Sequence, residues 1–393
     1  MTSVDPPPSS DSSHRRHGPF TRWLFALHLA PSSRRRLNRS TLAPSAALWF
    51  TFLLCALIDR AFTGKTPPLF QDLSAHVRVL VSIPSLLLSE SIHHERSAYV
   101  LDRLSDGKIV QRSHHEEVAR ILATAERRRH SRIVEYALWA LGFSFGLLAL
   151  KGRLGTAESL QGVETAAFPG VAHVWYVLLV VPVYVFLFAR AIWRWIVWSA
   201  SLFQVSRVEL RFAPTHPDRA GGLGFLSEPV AAAAVVSFAI SAGMSARWRT
   251  EAKILHFSVR NFAPSFGVLF AAAVILSIGP LLFFSVPAFR ARLRAEREHS
   301  RLVLHYVQEV HAAWFERQPQ PESAIGVFDS SSMADIDSTY QNLLRMRLVP
   351  VEPKMLLAVA LGVSLPFVIS MASEIPMTEL LRTVGHALAK TLF

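Results

Sequence analysis

The stretch "FAPSFGVLFAAAVILSIGPLLFFSVPA", residues 262–288, indicates the type of fold most clearly, because it is apolar almost throughout and carries no charged side chain. A helix needs about 20 mostly apolar residues to cross a hydrocarbon layer of about 30 Å. This stretch is long enough and predicts a transmembrane helix. We therefore expect an all-α fold, a polytopic transmembrane helical bundle of about seven spans with cytosolic helical extensions. The other predicted spans are 42–62, 76–92, 133–150, 171–189, 230–246 and 355–372.

The composition agrees with a membrane protein. Of 393 residues, 51% are hydrophobic and 18% are charged, whereas a soluble domain carries about 25% charged residues. The net charge of +12 does not indicate nucleic acid, because the basic residues cluster beside the apolar stretches, where they orient helices. We expect the lipid bilayer as a partner and no nucleic acid. Cys55 is the only cysteine of the sequence, which excludes disulfides within the chain and cysteine-based zinc sites.

The distribution of Lys and Arg predicts a cytoplasmic N-terminus. Cytoplasmic segments keep positive charge during insertion, and most of the 41 basic residues fall in segments that this orientation places inside. The loop "RWRTEAKILHFSVRN", from Arg247, argues against it, because its basic residues would lie outside. An odd number of spans places the C-terminus outside.

The regions between the spans complete the predicted organisation. A hairpin is expected around the turn "SDGK", with Ser113 and Glu116 as a capping box, and its arms should pack against the helix after span six. The helix from Arg190 either lies in the interface or extends span four inward. The predicted order is a disordered basic tail with a candidate interfacial segment (1–41), a transmembrane hairpin (42–92), a cytosolic helical hairpin (93–132), spans three and four (133–189), an interfacial helix with a glycine-rich turn (190–229), spans five and six (230–288), a cytosolic helix and linker (289–354), and span seven with an amphipathic C-terminal helix (355–393).

Several residues inside the predicted spans bear on function. Glu90, Glu135 and Arg190 fall near the predicted inner ends, where we expect them to snorkel to the interface. Predicted spans five to seven have no ionisable residue at their centres, so a proton- or sodium-coupled carrier of familiar type is not indicated, while a channel lined by backbone and serine stays open. Span five is rich in small residues, which allows close packing within the fold or between subunits. Prolines inside spans predict bends.

The run "APTHPDRAGGLGFL", residues 213–226, has two interpretations. In the structural one it is a turn at the inner surface, with Asp218 as a cap and Arg219 paired with that carboxylate or with a lipid phosphate. In the functional one His216 and Asp218 handle a proton or bind a ligand. The glycines match no nucleotide-binding spacing, and no cofactor is predicted. The candidate site residues are His216, Asp218, Arg219, Gly221, Gly222 and Gly224.

The pairs "HHER" at His93 and "HHEE" at His114 raise the question of a metal site, because imidazole and carboxylate bind transition metals. Adjacent histidines on a helix point about 100° apart, so at most one of each pair can join a shared site. The candidate ligands are His94, His115 and Glu116. The competing interpretation is a solvated helix surface.

Four segments carry a resemblance. They are "VRVLVSIPSLLLSESIHHERSAYVLDRLSDGKIV", "FAPTHPDRAGGLGFL", "MADIDSTYQNLLRMRLVPVEPKMLLAVALGVSLPF" and "EIPMTELL". Together they resemble a family of uncharacterised bacterial polytopic inner-membrane proteins that carry the THPDRAGGLGFL motif. Where that family has "PLLILAEP", this chain has "PSLLLSES", which loses the second proline and keeps the acid as Glu90. The resemblance covers most of the chain after about residue 42 and implies this architecture and a bacterial inner-membrane location, without a reaction.

Three hypotheses for function follow. The first is a non-enzymatic integral membrane protein, either a transporter- or channel-like bundle or the membrane component of a complex, with a homo-oligomer or other membrane proteins as partners. The second is a membrane-embedded enzyme that uses His216 and Asp218 at the cytosolic interface. The third is a sensor or scaffold that acts through its cytosolic helices. We favour the first.

Overall fold

The fold is helical throughout the residues that the computed structural model describes, which are 34–64, 66–105, 109–151, 170–315 and 330–374. Within these ranges the strand-like pairing is a single antiparallel bridge between Val110 and Leu210. The chain is therefore all-α, as predicted. The helices are α1 (Arg34–Thr63), α2 (Pro68–Gln71), α3 (Leu73–Val77), α4 (Ile83–Ser105), α5 (His115–Arg129), α6 (Arg132–Leu150), α7 (Val171–Trp175), α8 (Val181–Val205), α9 (Val230–Ile254), α10 (Ala263–Ile278), α11 (Ser285–Phe315), α12 (Ser330–Leu344) and α13 (Pro353–Ala372).

Seven helical segments in the described part of the chain are long and apolar enough to cross a membrane. Each of them contains one of the predicted stretches, so the prediction of about seven spans is confirmed and the chain is a polytopic membrane protein. Spans one to seven are, in order, Leu42–Thr63, Leu73–Leu104, His115–Leu150, Val171–Val205, Gly224–Ile254, Val259–Ala312 and Pro353–Ala372.

Several spans continue beyond their predicted limits. Span four runs without a break to Val205, because no Gly or Pro follows Pro182 in this helix. The inward extension is therefore the alternative that the structure adopts, rather than a separate interfacial helix. The arms of the predicted hairpin are likewise extensions of spans two and three. The predicted capping box is wrong, because α5 starts after His114 without a side-chain cap.

The prolines of spans two and four lie just after changes in helix type. A π-helical turn at Arg78–Ser82 precedes Pro84, and another at Tyr176–Val180 precedes Pro182. Proline has no N–H and its ring collides with the carbonyl four residues earlier, so the wider turn makes room for that carbonyl. Pro366, by contrast, lies inside α13 without interrupting it.

Glycines on span three allow close contact with span four. A Cβ at Gly142 would lie 2.7 Å from the carbonyl oxygen of Pro182, and one at Gly146 would lie 2.6 Å from that of Val177. Both distances are too short for a real side chain, so these backbones touch only because the two positions are glycine.

Spans five and seven also meet backbone to backbone. A Cβ at Gly362 would lie 2.6 Å from the carbonyl oxygen of Ala234, and the Ser241 hydroxyl donates to the carbonyl of Val363 at 2.5 Å. The small residues of span five thus serve close packing within the fold, the first of the two uses expected for them.

Near the end of span six, α11 packs through Tyr306 and Val310 against Ile336 of α12. Helix α12 lies in the segment predicted as a linker, so that segment contains more regular structure than expected. The predicted amphipathic C-terminal helix, most of the N-terminal tail and the centre of the "SDGK" turn lie outside the described residues.

Candidate functional site

The 213–226 run folds into a turn around the carboxylate of Asp218. Its Oδ1 accepts hydrogen bonds from the backbone N–H of Ala220 at 2.8 Å and of Gly222 at 3.1 Å. Its Oδ2 accepts one from Gly224 at 3.0 Å. A carboxylate that receives several backbone N–H groups stabilises a turn strongly. Asp218 is therefore the cap that the structural interpretation expects.

The predicted pair of His216 and Asp218 is in contact. Nδ1 of His216 lies 2.9 Å from Oδ1 of Asp218 and 3.2 Å from the backbone nitrogen of Asp218. The two contacts belong to different tautomers, because a protonated Nδ1 donates to the carboxylate and an unprotonated one accepts from the amide. The imidazole is exposed, and the carboxylate already serves three backbone groups. Proton handling or ligand binding by this pair stays a prediction.

Charge on Asp218 is stabilised in the fold. Burial raises its pKa, but hydrogen bonds from Ala220, Gly224 and Gly222, and then from His216, outweigh burial and leave the pKa below its ordinary value of 3.8. A group with a depressed folded pKa contributes stability above its unfolded pKa, and this contribution is lost as the pH falls through the folded pKa.

We accordingly expect the turn to open in acid. Hydrogen exchange should show the amides of Ala220, Gly222 and Gly224 losing protection below about pH 4, while Val359, buried in span seven, stays protected. In Asp218→Asn the same three amides should be weakly protected without this pH dependence. An Asn variant that retains the acid transition would assign the transition to another group.

The glycines of the turn meet two different needs. Arg219, Gly221 and Gly222 have positive φ angles of 53°, 66° and 86°, which a glycine adopts without strain. At Gly221 a Cβ would also lie 2.8 Å from the Cε of Met346. The turn is therefore shaped to fit the segment that leads into span seven.

Arg347 fastens the turn to that segment. Its backbone N–H donates to the carbonyl of Arg219 at 2.7 Å, and its Nη2 donates to the carbonyl of Asp218 at 2.8 Å. Its Nη1 donates to the carbonyl of Val351 at 2.5 Å. The backbone and the side chain of Arg347 thus both connect the loop between spans four and five to the entry of span seven. No motif in the sequence indicates this role of Arg347.

The candidate metal ligands have other partners. Nε2 of His115 donates to the carbonyl of Val110 at 3.1 Å, and Nδ1 of His94 lies 3.4 Å from Nη2 of Arg129. Glu116 is exposed on α5. Among the described residues, no three His, Cys, Asp or Glu side chains are placed to hold a metal ion. A site at His94, His115 and Glu116 stays a prediction without a supporting arrangement.

A buried cluster of charges joins spans two, three and four. Nη1 of Arg190 donates to Oε1 of Glu135 at 2.7 Å, and its Nη2 donates to Oε1 of Glu90 at 3.0 Å. Nη2 of Arg194 donates to the same Glu90 oxygen at 2.5 Å. Side-chain exposure is 7% for Glu135, 8% for Arg190 and 18% for Glu90.

The expectation that Glu90, Glu135 and Arg190 snorkel to the interface is therefore wrong. Carboxylates from spans two and three meet guanidinium groups from span four at the same depth, and each charge offsets the desolvation of its partner. The signal was present in the sequence as two acids and two arginines near the inner ends of three adjacent spans. Only the packing of the three helices shows that these side chains are in contact.

Beside this cluster lies a cavity of about 400 Å³ between spans two, four, five and six. Its walls are mainly apolar, and Glu90, Arg190 and Arg194 lie at one part of the lining. Three further lining residues face outward, since Ile192, Ile196 and Leu276 are 41%, 45% and 51% exposed. The cavity therefore extends to the apolar outer surface of the bundle.

Spans four and six are bridged at the edge of the cavity. Nε1 of Trp195 donates to the carbonyl of Leu276 at 2.9 Å. In a regular helix that carbonyl would accept from residue 280, but Pro280 has no N–H, and a 3-10 turn starts at Gly279. The indole thus satisfies a carbonyl that the proline leaves free.

The chain matches no family model, no curated protein and no solved structure.

Proposed function

We propose that the protein is a transporter- or channel-like bundle that takes up an apolar or amphipathic molecule in the cavity between spans two, four, five and six. The observation that supports this proposal most directly is that cavity, about 400 Å³ in volume, with buried charges in its lining and exposed apolar side chains at its border. Ligand sites of about 300–1,000 Å³ are typically apolar with a few placed polar groups. Ionisable residues inside a membrane bundle are expensive and mark functional sites by default.

We also propose that the protein lies in a bacterial inner membrane with its N-terminus in the cytoplasm. The resemblance supports the location, and the basic segments support the orientation. With this orientation span two runs inward. Glu90, in the second half of span two, and the cavity beside it then lie in the inner half of the bilayer.

Alkaline phosphatase inserted within 152–169 should be active, and inserted within 106–108 it should be inactive. The reverse pattern contradicts the orientation.

Filling the cavity tests the proposed function. Ala233 lines it from span five, and in Ala233→Phe the added ring occupies space that the ligand needs. We expect a fluorescent dodecyl-chain amphiphile to bind the purified protein in nanodiscs, and this variant to bind it at least about tenfold more weakly, which corresponds to about 1.4 kcal/mol. Fluorescence titration measures both affinities.

The matched control is Ala271→Phe, an exposed position on span six that does not line the cavity. This variant should bind like the parent protein. Undiminished binding by Ala233→Phe, or equal losses in both variants, contradicts the proposal that this cavity is the ligand site.

A further inference from the structure

We infer that the charged part of the cavity binds the anionic oxygen headgroup of an amphiphile, a phosphate or a carboxylate, with Arg194 as its principal contact. This inference rests on the proposed function and specifies its ligand. Buried hydrogen-bonding capacity, local charge and the neighbouring apolar surface support it.

Arg194 has hydrogen-bond donors that no acceptor uses among the described residues. Its side chain is 7% exposed, and Nη2 donates to Glu90 at 2.5 Å. Nε and Nη1 are buried and donate to no acceptor among the described residues. A buried N–H without an acceptor is unfavourable, most of all on a charged group. The planar guanidinium fork matches the spacing of two phosphate or carboxylate oxygens.

Arg194 shares its acceptor with a second arginine. One oxygen of Glu90, Oε1, serves both Arg190 and Arg194. A third cation, Arg129, also acts electrostatically on Glu90.

The partners of Arg129 leave its charge only partly offset. It donates to the neutral hydroxyl of Ser97 at 3.3 Å and to His94 at 3.4 Å. Its nearest contact with Glu126 is 3.9 Å, and that carboxylate accepts from His130 at 2.9 Å. None of these contacts gives Arg194 a second acceptor. An anion bound here therefore gains both a favourable electrostatic interaction and hydrogen bonds.

The rest of the lining suits an apolar chain. Leu187, Leu269 and Leu281 contribute to it, and Ile192 and Leu276 connect it to the lipid-facing surface. A headgroup at Arg194 can therefore keep its chain in the cavity. A free phosphate or carboxylate ion and the headgroup of an anionic lipid would make the same hydrogen bonds to Arg194. The two ligands differ in the apolar chain, which only the lipid has.

Competition experiments on the full-length protein in phosphatidylcholine nanodiscs test this inference. Dodecyl phosphate, dodecylammonium, dodecanol and inorganic phosphate each compete with the fluorescent amphiphile. Dodecyl phosphate should bind about tenfold or more tightly than dodecanol, the gain expected from charge-assisted hydrogen bonds. Dodecylammonium should bind more weakly than dodecyl phosphate, and inorganic phosphate should not compete.

In Arg194→Gln the preference for dodecyl phosphate over dodecanol should disappear while dodecanol binding persists. The control Arg247→Gln changes a surface arginine paired with Glu251 and should keep the preference. If Arg194→Gln does not fold, the comparison of headgroups in the parent protein still decides. Equal binding of all three dodecyl compounds overturns the inference of an anionic headgroup but leaves the proposed function standing. Competition by inorganic phosphate contradicts the inference that the ligand is an amphiphile. Binding of no dodecyl compound at all contradicts the proposed function itself.

Discussion

Replacement of Glu90 by leucine should destabilise the bundle by about 3–5 kcal/mol, the usual cost of removing one partner from a buried ion pair. The substitution leaves Arg194 without its carboxylate and takes one of two carboxylates from Arg190. Helix content measured by circular dichroism during an SDS titration in mixed micelles should show an earlier unfolding midpoint.

Two comparisons separate lost charge pairing from lost packing. Arg247→Leu breaks a pair whose arginine is 47% exposed and should cost less than about 1 kcal/mol. Glu90→Leu combined with Arg194→Met should be more stable than Glu90→Leu alone, because the unpaired cation is then gone. If the double variant is less stable than the single one, the cluster does not act through charge pairing.

Replacement of Gly362 by alanine should destabilise the protein by about 1–3 kcal/mol, as overpacking of a close-packed core does. The added methyl group would lie 2.6 Å from the carbonyl oxygen of Ala234. A backbone oxygen cannot move aside as the end of a flexible side chain can, so spans five and seven must separate. The same SDS titration measures the change.

Gly267→Ala is the matched control, because the same methyl group at Gly267 meets no atom within 4 Å. Alanine is favoured over glycine in a helix by up to about 1 kcal/mol, so this variant should be neutral or more stable. Equal destabilisation by both substitutions would mean that the close approach of spans five and seven contributes little.

Hydropathy predicted the spans because a membrane helix must satisfy all its backbone groups internally and present apolar side chains to lipid. The stretch 262–288 is the strongest case. The helix lengths were underestimated, since the inner extensions of spans two, three and six are polar, and that of span four starts with Arg190 and Arg194. Their continuity depends on the lack of helix-breaking residues, as in span four.

The contacts of the candidate sites were less accessible to sequence reasoning. The capping role of Asp218 was predictable, because all its backbone partners lie within six residues of it. The hydrogen bonds of Arg347 to this turn were not predictable, since Arg347 lies 129 positions after Asp218 in the sequence. The ion-pair cluster likewise brings together side chains of three helices, and no periodicity within one helix indicates such a pairing.

The hydrogen bonds of Arg347 limit which parts of the bundle can move relative to each other. They tie the loop between spans four and five to the entry of span seven, while the ion pairs tie spans two and three to span four. Five spans are thereby linked, and span six, interrupted at Pro280, forms the remaining wall of the cavity and is joined to span four by the hydrogen bond from Trp195 to Leu276. On the proposed function, a ligand from the inner leaflet enters sideways between span six and the other walls once this hydrogen bond opens.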